Sequence, residues 1–328
     1  MARILVTGGA GYVGSVCSAE LIKQGHEVIV IDDLSAGHRE CVPPGAEFHV
    51  MDIADADGFR RLIRERPVEA AFHFAAKALI PESVTDPAIF FKVNVSSALT
   101  MLDVLREEGV RKIVFSSTAA VYGDPVEIPI PEDHAKRPVN SYGETKLCFE
   151  RALAWYAKAY GMSTVAFRYF NASGASAEQG ENHCPETHII PLLFEAALGE
   201  RKHFVVYGQD WPTIDGTCLR DYVHVLDIAH AHIAALERMQ DPGFEAYNIG
   251  TGQSFSVHEV CQAVERVIGM RVPVVAGDRR PGDPAVLEAK SDKLMKDLGW
   301  SPKHSDLENI IATAWAWKTR MVGASARQ

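Results

Sequence analysis

A tyrosine and a lysine stand four residues apart in the segment NSYGETKL, at Tyr142 and Lys146. Residues at that spacing share one face of an α-helix. Of the nine tyrosines in the chain, only this one has a lysine four residues further on. A phenol with its ordinary pKa of about 10 is a poor base at neutral pH, but a neighbouring ammonium group favours the phenolate. The pair is a candidate general base, with an ordinary exposed helix face as the alternative.

Three hydroxyl side chains, Ser116, Ser117 and Thr118, end the predicted strand that begins at Lys112. Ligands of open α/β sheets bind beyond the carboxyl ends of the strands, so these hydroxyls are expected at a binding edge. Thr118 is our candidate to relay a proton between Tyr142 and a substrate hydroxyl. The alternative is that the hydroxyl groups only terminate the strand.

A glycine-rich loop, TGGAGYVG, follows the apolar run Ile4–Val6 directly. Glycines let the backbone turn tightly and approach a ligand, and the helix that begins near Tyr12 presents unpaired N–H groups at its positive end. Together these features predict a seat for a pyrophosphate, with a tight turn as the alternative. The candidate residues of this seat are Gly8, Gly11, Tyr12 and Val13.

The second predicted strand, EVIVID, ends in Asp32, eighteen residues after Gly14. A carboxylate at that place accepts hydrogen bonds from the adenosine ribose and repels a 2′-phosphate, which favours NAD over NADP. A carboxylate that only begins a turn is the alternative. Asp52 and Ile53 close the third predicted strand, where an acid can meet the adenine. The sequence therefore predicts a dinucleotide site with NAD as the cofactor.

Short apolar runs alternate with helix-patterned segments through the first half of the chain. The predicted strands are Ile4–Val6, Glu27–Ile31, Glu47–Met51, Ala70–Phe74, Lys112–Ser116 and Thr164–Phe170, and the predicted helices are Tyr12–Gln24, Asp57–Glu65 and Val93–Glu108. Continuous apolarity suits strands that are buried on both faces of a parallel sheet. We predict an α/β fold with a doubly wound parallel sheet of the Rossmann type. An eight-fold barrel is the alternative, but it does not need the glycine loop.

The character of the sequence changes after Asn171, where a long polar stretch rich in small residues begins. A return to strand and helix patterns at about 222–251 predicts that the chain crosses back into the first domain. We expect an NAD-binding domain of residues 1–171 plus about 222–251. A second, smaller α/β lobe of about 172–221 plus 252–328 is expected to bind the substrate, and Leu307–Lys318 is expected to be a closing helix.

Composition narrows the classes of function. The net charge of −10 disfavours nucleic acid as a partner, and no apolar run predicts a membrane span or a signal peptide. Six scattered cysteines without a Cys-x-x-Cys pair predict reduced thiols in the cytoplasm, with no disulfide framework and no zinc site. A metal site from His224, His230 and His232 is not expected, because His230 and His232 face apart on a helix.

Several motifs together resemble a known family. The segments TGGAGYVGS, SST and YGETK resemble the extended short-chain dehydrogenase/reductases, and the resemblance narrows to the UDP-glucose 4-epimerases on RYFNASGA, DGTCLRDYVHVLDIA, YNIGTG and RRPGDPA. The similarity runs over nearly the whole chain. It implies NAD-dependent inversion at C4 of a UDP-hexose through a transient 4-keto sugar. It also implies a homodimer formed by the helices around Val95–Glu107 and Phe149–Ala159.

The same resemblance implies roles for individual residues. Tyr142 is the implied base, Thr118 assists it, and Lys146 anchors the nicotinamide ribose. Further residues implied to line the cofactor site are Phe74, Ala75, Lys77, Asn94, Ser116 and Tyr169. Residues implied to bind the UDP-sugar are Phe170, Asn171, His188, Tyr207, Arg220, Arg280 and Asp283. An arginine fork suits the pyrophosphate oxygens, which agrees with the places given to the two arginines.

Other activities on the same scaffold stay open at this point. Val286 stands near the place of a bulky gate residue in some members of the family, and a small side chain there leaves room for a UDP-N-acetylhexosamine. UDP-pentoses and UDP-glucuronate are further alternatives, although no cation follows Arg168 in its motif to meet a carboxylate. A dehydratase needs an acid and a base where Ala119 and Ala120 stand. A non-catalytic NAD-binding protein is disfavoured by the intact Thr, Tyr and Lys set.

Overall fold

Seven parallel strands form one open sheet in the computed structural model, which describes residues 1–280 and 282–325. The strands of the described residues are β1 (Arg3–Thr7), β2 (Glu27–Asp32), β3 (Glu47–Val50), β4 (Ala70–His73), β5 (Lys112–Thr118), β6 (Ser163–Tyr169), β7 (Asn171–Ser173), β8 (Phe204–Tyr207), β9 (Leu219–His224), β10 (Gly243–Ile249), β11 (Ser254–Ser256), β12 (Val274–Gly277) and β13 (Val286–Leu287). The order in the large sheet is β10-β6-β5-β4-β1-β2-β3. This open sheet confirms the predicted doubly wound fold and excludes the barrel.

Helices cover both faces of this sheet. The α-helices of the described residues are α1 (Tyr12–Lys23), α2 (Ala56–Glu65), α3 (Ile80–Thr85), α4 (Pro87–Phe91), α5 (Ala98–Glu107), α6 (Ser141–Tyr160), α7 (Ile189–Ala197), α8 (Val225–Arg238), α9 (Val257–Ile268), α10 (Asp292–Leu298) and α11 (Leu307–Ser325). In β1, Ile4 and Val6 belong to the core cluster under α1 and α8, whereas Leu5 belongs to the cluster under α2 and α5. Burial on both faces explains why the strand is apolar without alternation.

Local signals set the ends of the helix that carries Tyr142. The Asn140 side chain accepts a hydrogen bond from the Gly143 N–H and caps the start of α6. The helix ends at Gly161, whose φ of 63° is in the left-handed region that glycine adopts without strain. The helix therefore presents Tyr142 in its first turn, close to the end of β5.

Two predicted elements differ from the structure. The strand β5 runs to Thr118, so all three hydroxyl residues of the SST motif belong to the strand rather than to the loop after Ser116. The predicted helix Val93–Glu108 is divided into a π-helical turn at Lys92–Ser97 and the regular helix α5. Single π-turns within helices are frequent at functional sites, and Asn94 lies in this one.

Smaller sheets follow in the second half of the chain. The strand β9 pairs with β7, β11 and β13, and β8 pairs with β12. The strand β10 returns to the edge of the large sheet beside β6. Leu294 and Trp300 pack into the core under α1 and α8, although they lie in the stretch expected to belong to the second lobe.

One helical stretch differs from the expectation that no apolar run in the chain predicts a membrane span. Pro87–Glu107, 21 residues that include the π-turn, is long and apolar enough to span a membrane when length and composition alone are considered. The core helix of a soluble protein meets the same test, and Phe90, Met101 and Leu105 are buried inside this fold. The stretch is therefore weak evidence for a membrane segment.

Candidate active site

The glycine loop packs too closely for side chains at two positions. A Cβ atom on Gly14 would lie 2.3 Å from the Gly8 oxygen, and one on Gly8 would lie 2.4 Å from the Ala75 nitrogen. Gly11 caps α1 without a side-chain hydrogen bond, so the N–H groups of Tyr12 and Val13 have no capping side chain. An open helix N-terminus against a loop of this kind fits the phosphates of a dinucleotide.

Asp32 joins the glycine loop to the loop that follows β2. Its carboxylate accepts hydrogen bonds from the Ala10 N–H at 3.1 Å and from the Leu34 N–H at 2.9 Å. Burial raises the pKa of Asp32, and the two backbone hydrogen bonds act in the opposite direction. The Asp32 carboxylate thus lies where it would bind the ribose next to the pyrophosphate of a dinucleotide.

The other acid of the sequence analysis has a local partner. Asp52 is exposed, and its Oδ1 accepts a hydrogen bond from the Ala54 N–H at 2.8 Å, which is the geometry of a turn. Ile53, beside it, is buried in the core under α2. A contact of either residue with adenine stays a prediction.

The Tyr-Lys pair and the SST motif meet at the carboxyl edge of the sheet. Lys146 donates from its Nζ to the Ser116 oxygen at 2.7 Å, and its Nζ lies 5.9 Å from the centre of the Tyr142 ring. The Thr118 side chain lies close enough to Tyr142 to lower the pKa of the phenol, and its Oγ1 accepts a hydrogen bond from the Ala120 N–H. The structure therefore brings the base, the relay hydroxyl and the amine into one group.

The pKa of the tyrosine shifts in the direction opposite to the one that Lys146 was expected to cause. Burial raises the pKa of Tyr142 to about 12, and the nearby Thr118 side chain lowers it only in part. Burial also lowers the pKa of Lys146 to about 7, with Glu150 acting against that shift. A buried amine that loses its proton easily provides less positive charge to the phenol than an exposed ammonium would.

Asn94 fixes the loop after β4. Its Oδ1 accepts from the Lys77 N–H at 2.8 Å, and its Nδ2 donates to the Lys77 oxygen at 2.9 Å and to Thr145 Oγ1 at 3.1 Å. Both ends of the amide are used, which binds the loop to α6 three residues from Tyr142. The π-turn gives Asn94 this position, and direct contacts of Asn94 and Lys77 with a cofactor stay predictions.

The remaining predicted cofactor residues lie at the ends of β4 and β6. The Phe74 and Ala75 N–H groups both donate to the Thr7 oxygen, at 2.9 and 3.1 Å. Tyr169 ends β6, and its hydroxyl lies 2.7 Å from His232 Nε2. The end of β4 lies beside β1 and its glycine loop, and the end of β6 lies two strands further along the sheet.

Phe170 and Asn171 continue from β6 toward the second half of the site. Phe170 packs in a small cluster with Ala119 and Leu147, and Leu287 packs against that cluster. The gate residue was expected at Val286, which lies in β13, and its neighbour Leu287 packs against this cluster. A role of Val286 as the gate stays a prediction.

A charged cluster is formed by the residues predicted to hold UDP. Arg280 Nε donates to Asp283 at 3.0 Å, and Arg220 Nη2 lies 3.9 Å from the same carboxylate. The Arg280 guanidinium also lies 4.9 Å from the centre of the Tyr207 ring. Two cations, one acid and one exposed aromatic ring are the chemistry that a nucleoside diphosphate needs.

His188 has acidic partners that sequence reasoning missed. Its Nδ1 lies 2.6 Å from Glu181 and 2.9 Å from Glu186, and both acids raise the pKa of His188 well above its usual range against the effect of burial. His183 completes a group whose ligand atoms lie within 4.8 Å of one another. The repeated Glu-x-His spacing in ENHCPETH was the available signal.

The three histidines weighed as metal ligands in the sequence, His224, His230 and His232, do not form one cluster. His230 lies with Asp227 and His304 in the described part of the chain. His224 Nε2 instead contacts Thr313, and His232 is buried against Tyr169.

A buried ion pair behind the site was also missed. Arg168 donates to both carboxylate oxygens of Glu150, at 3.0 and 2.6 Å, and Glu150 also accepts from Ser117. Arg168 further donates to the Tyr122 hydroxyl, which donates to Asn248 on β10. The network joins β5, β6, β10 and α6 beneath the Tyr-Lys pair, and no local pattern in the sequence indicates it.

Comparisons with known proteins agree with this arrangement. Residues 4–250 match the NAD dependent epimerase/dehydratase family. The UDP-glucose 4-epimerase of Corynebacterium glutamicum is 45% identical over 319 residues, which is 97% of this chain and 96% of that protein. The crystal structure of UDP-glucose 4-epimerase from Brucella ovis in complex with NAD superposes with a TM-score of 0.93 at 44% identity, covering 96% of this chain and 97% of that one. The enzyme from Bifidobacterium longum in complex with NAD+ and UDP gives a TM-score of 0.92 at 34% identity, covering 97% and 98%.

Proposed function

The chain belongs to the NAD dependent epimerase/dehydratase family, and we propose that it interconverts UDP-glucose and UDP-galactose by inversion at C4. The observation that carries the proposal is the group formed by Tyr142, Thr118 and Lys146 at the carboxyl edge of the sheet. The glycine loop that fits a dinucleotide lies at the same edge. The protein is an isomerase, and NAD is its cofactor.

The proton steps are assigned to Tyr142 and Thr118. When bound at this site, NAD⁺ would supply reversible hydride transfer at C4, and its positive ring would favour the Tyr142 phenolate. Tyr142 removes the proton of the C4 hydroxyl, with Thr118 as the relay between the phenol and the sugar. The same phenol returns a proton to the sugar oxygen when the 4-keto sugar is reduced on its other face.

Binding at one end of the substrate allows the sugar to turn. Arg220, Arg280 and Asp283 hold the UDP part in the proposed complex, with Tyr207 beside the uracil. His188, the residue before α7, is proposed to contact the substrate. Phe170 and Asn171 are proposed to border the sugar, and Phe170 belongs to an apolar cluster against which Leu287 packs. An apolar contact of this kind holds the hexose without fixing its orientation, which the inversion requires.

Asp32 is proposed to hold the adenosine ribose, and Lys146 is proposed to hold the nicotinamide ribose. Residues 1–171 plus about 222–251 form the proposed cofactor domain, and the rest forms the proposed substrate lobe. The return of β10 to the large sheet supports this division.

We also propose a cytoplasmic homodimer. All six cysteines are free thiols, which suits a reducing compartment. The α6 helix exposes Trp155 and Tyr160 on the face that the dimer would cover. Size-exclusion chromatography with light scattering tests the dimer, and a monomer at micromolar concentration would contradict it.

The activity is tested with the purified protein and no added cofactor. UDP-glucose and UDP-galactose, supplied separately, should converge to the same mixture when followed by NMR. Parallel incubations with UDP-N-acetylglucosamine, a UDP-pentose and UDP-glucuronate define the range of sugars. A protein that contains NAD but leaves both hexoses unchanged would contradict the proposed function.

A further inference from the structure

Four side chains of metal-binding types meet in the loop before α7. Each offers one ligand atom, and these atoms all lie within 4.8 Å of one another; the residues are Glu181, His183, Glu186 and His188. The Nδ1 atoms of both histidines face one oxygen of Glu181, at 3.0 Å for His183 and 2.6 Å for His188. In a tetrahedral zinc site, bonds of about 2.0–2.1 Å separate the ligand atoms by about 3.3 Å. The observed separations, from 2.6 Å up to the limit of 4.8 Å, include that value.

The two glutamates of this group are nearly buried, and no Lys or Arg of the described residues pairs with them. Each side chain is 9% exposed, and its charged partners are the histidines. Buried carboxylates need compensating charge. Protonation of both histidines would supply it, but two positive rings would then lie with their centres 5.1 Å apart. One divalent cation bound to neutral histidines balances the two carboxylates without that repulsion, and a proton competes with it at His188, whose pKa the acids raise.

Hydrogen bonds outside the group orient its ligands, as is usual at metal sites. One oxygen of Glu186 accepts from the Thr187 and His188 N–H groups, at 2.6 and 2.8 Å. Trp317, on α11, donates from its Nε1 to the main-chain oxygen of Glu181 at 2.8 Å. The side chain of Glu186 and the main chain of Glu181 are thus held in place by the protein itself.

The group also lies against the half of the molecule that carries the glycine loop. The ring of Tyr12, at the start of α1, meets the ring of His183 edge-on with centres 6.2 Å apart. The Tyr12 hydroxyl donates to the Gly174 oxygen at 2.5 Å. His38, in the loop after β2, lies with its Nε2 2.8 Å from the Asn182 oxygen. An ion in this group would therefore hold the loop before α7 beside segments that are proposed to bind the cofactor.

We propose that this group of two histidines and two glutamates binds one divalent cation of the zinc class. Two imidazole nitrogens and two carboxylate oxygens suit Zn²⁺, whereas Mg²⁺ and Ca²⁺ take mainly oxygen ligands. Four protein ligands close a tetrahedral site, so the ion has a structural role, which is to fasten the loop before α7. A metal on His188 Nδ1 leaves the hydrogen on Nε2, which can still donate to a substrate oxygen. The cysteine spacing predicted no zinc site, and this group contains no cysteine.

Metal binding is tested on tag-free protein that has been dialysed against a chelator. Isothermal titration with Zn²⁺ should give about one ion per chain, and Mg²⁺ should not bind at the same concentration. His183→Gln, checked for folding by circular dichroism, should weaken zinc binding by at least about a hundredfold, because it removes a ligand rather than an outer-shell partner. His304→Gln, in the other histidine group of the described residues, and Cys184→Ser, at the exposed neighbouring thiol, should bind as the wild type does. No binding by the wild type, full affinity in His183→Gln, or lost affinity in either control would overturn the inference.

A second measurement uses the wild-type protein alone. X-ray absorption of the zinc-loaded protein should show about four nitrogen or oxygen neighbours at about 2.0–2.1 Å and no sulfur at about 2.3 Å. A sulfur neighbour, or a shell of oxygens alone, would overturn the inference. The inference does not rest on the proposed function. Zinc binding by a protein that leaves both UDP-hexoses unchanged would contradict only the proposed function, so the two failures are distinguishable.

Discussion

The Nζ of Lys146 donates to the main-chain oxygen of Ser116 across 2.7 Å, and this bond joins the helix of the proposed base to the strand of the relay hydroxyl. Tyr142 is one helical turn before the lysine, and Thr118 is two residues after the serine. A movement of α6 against β5 would therefore break the Lys146 bond and change the separation of Tyr142 and Thr118. The geometry of the proton relay depends on this contact.

Replacement of the phenol hydroxyl is the most direct test of the base. Tyr142→Phe should lower kcat by roughly 10²- to 10⁴-fold, because the ring remains but no group takes the C4 proton. NAD bound to the purified variant, measured after denaturation, should equal the wild-type content. Tyr160→Phe is the matched control on the same helix, since Tyr160 is half exposed at its far end. Full activity of Tyr142→Phe would exclude this tyrosine as the base.

A single methyl group in the glycine loop should abolish cofactor binding. Gly14→Ala places a Cβ 2.3 Å from the Gly8 oxygen and 3.0 Å from the Gly9 Cα, and neither backbone atom can move without opening the loop. We expect the variant to purify with little NAD and to be inactive. Gly243→Ala is the control, because a Cβ there meets nothing within 4 Å. Normal NAD content in Gly14→Ala would show that the loop does not hold the phosphates as proposed.

The glycine loop also shows which parts of the site are predictable from sequence. The loop, the acid at the end of β2 and the Tyr-Lys pair are each encoded within a few neighbouring residues, and periodicity locates their strands and helix. All three lie where the sequence predicted them, with element ends that differ by one or two residues. Their contacts with cofactor and substrate remain predictions.

Other parts of the site depend on contacts between distant residues. Arg168 and Glu150 are eighteen residues apart and meet only because β6 packs beside α6. The π-turn at Lys92–Ser97 accompanies bonds from Asn94 to Lys77 and to Thr145, which are 17 and 51 residues away. The pKa of Tyr142 was expected to fall because of Lys146, but burial, which no local pattern reports, raises it.

Removal of one arginine from the UDP cluster should affect binding more than chemistry. Arg280→Ala loses the bond to Asp283 and the contact with the Tyr207 ring. We expect KM for the UDP-sugar to rise by roughly tenfold to a hundredfold with a smaller change in kcat, since the contact is the same in the ground and transition states. Arg266→Ala, in an exposed pair with Glu308, should leave both constants unchanged. A fall in kcat alone would contradict a role in substrate binding.

Removal of one residue of the buried Arg168–Glu150 pair should destabilise the fold much more than replacement of both residues. Arg168→Met leaves Glu150 buried without its cation, and the free energy of unfolding should fall by about 3–5 kcal/mol. Adding Glu150→Leu removes the unpaired charge and should recover a large part of that loss. Arg266→Met at the exposed pair with Glu308 should cost less than about 1 kcal/mol. Urea unfolding measures all three, and equal losses in the single and double variants would contradict this account.

Acid should destabilise the protein through a histidine that is buried without charge. His73 Nδ1 lies 2.7 Å from Thr7 Oγ1, and the ring stacks on Phe115 with centres 5.6 Å apart. Burial lowers the pKa of His73 to about 3, with the charge of Lys146 as a second cause. The unfolded chain takes up a proton below about pH 6.5, but the folded chain does so only near pH 3.

Because the unfolded state then binds more protons, the stability that is present above about pH 6.5 is lost as the pH falls toward 3. At about pH 4.5 the contribution of His73 to this loss should be about 2–3 kcal/mol. Urea unfolding at several pH values should show this slope, and His73→Gln should reduce the slope by about one proton in that window. An unaltered slope in His73→Gln would show that this histidine is not held neutral in the folded protein.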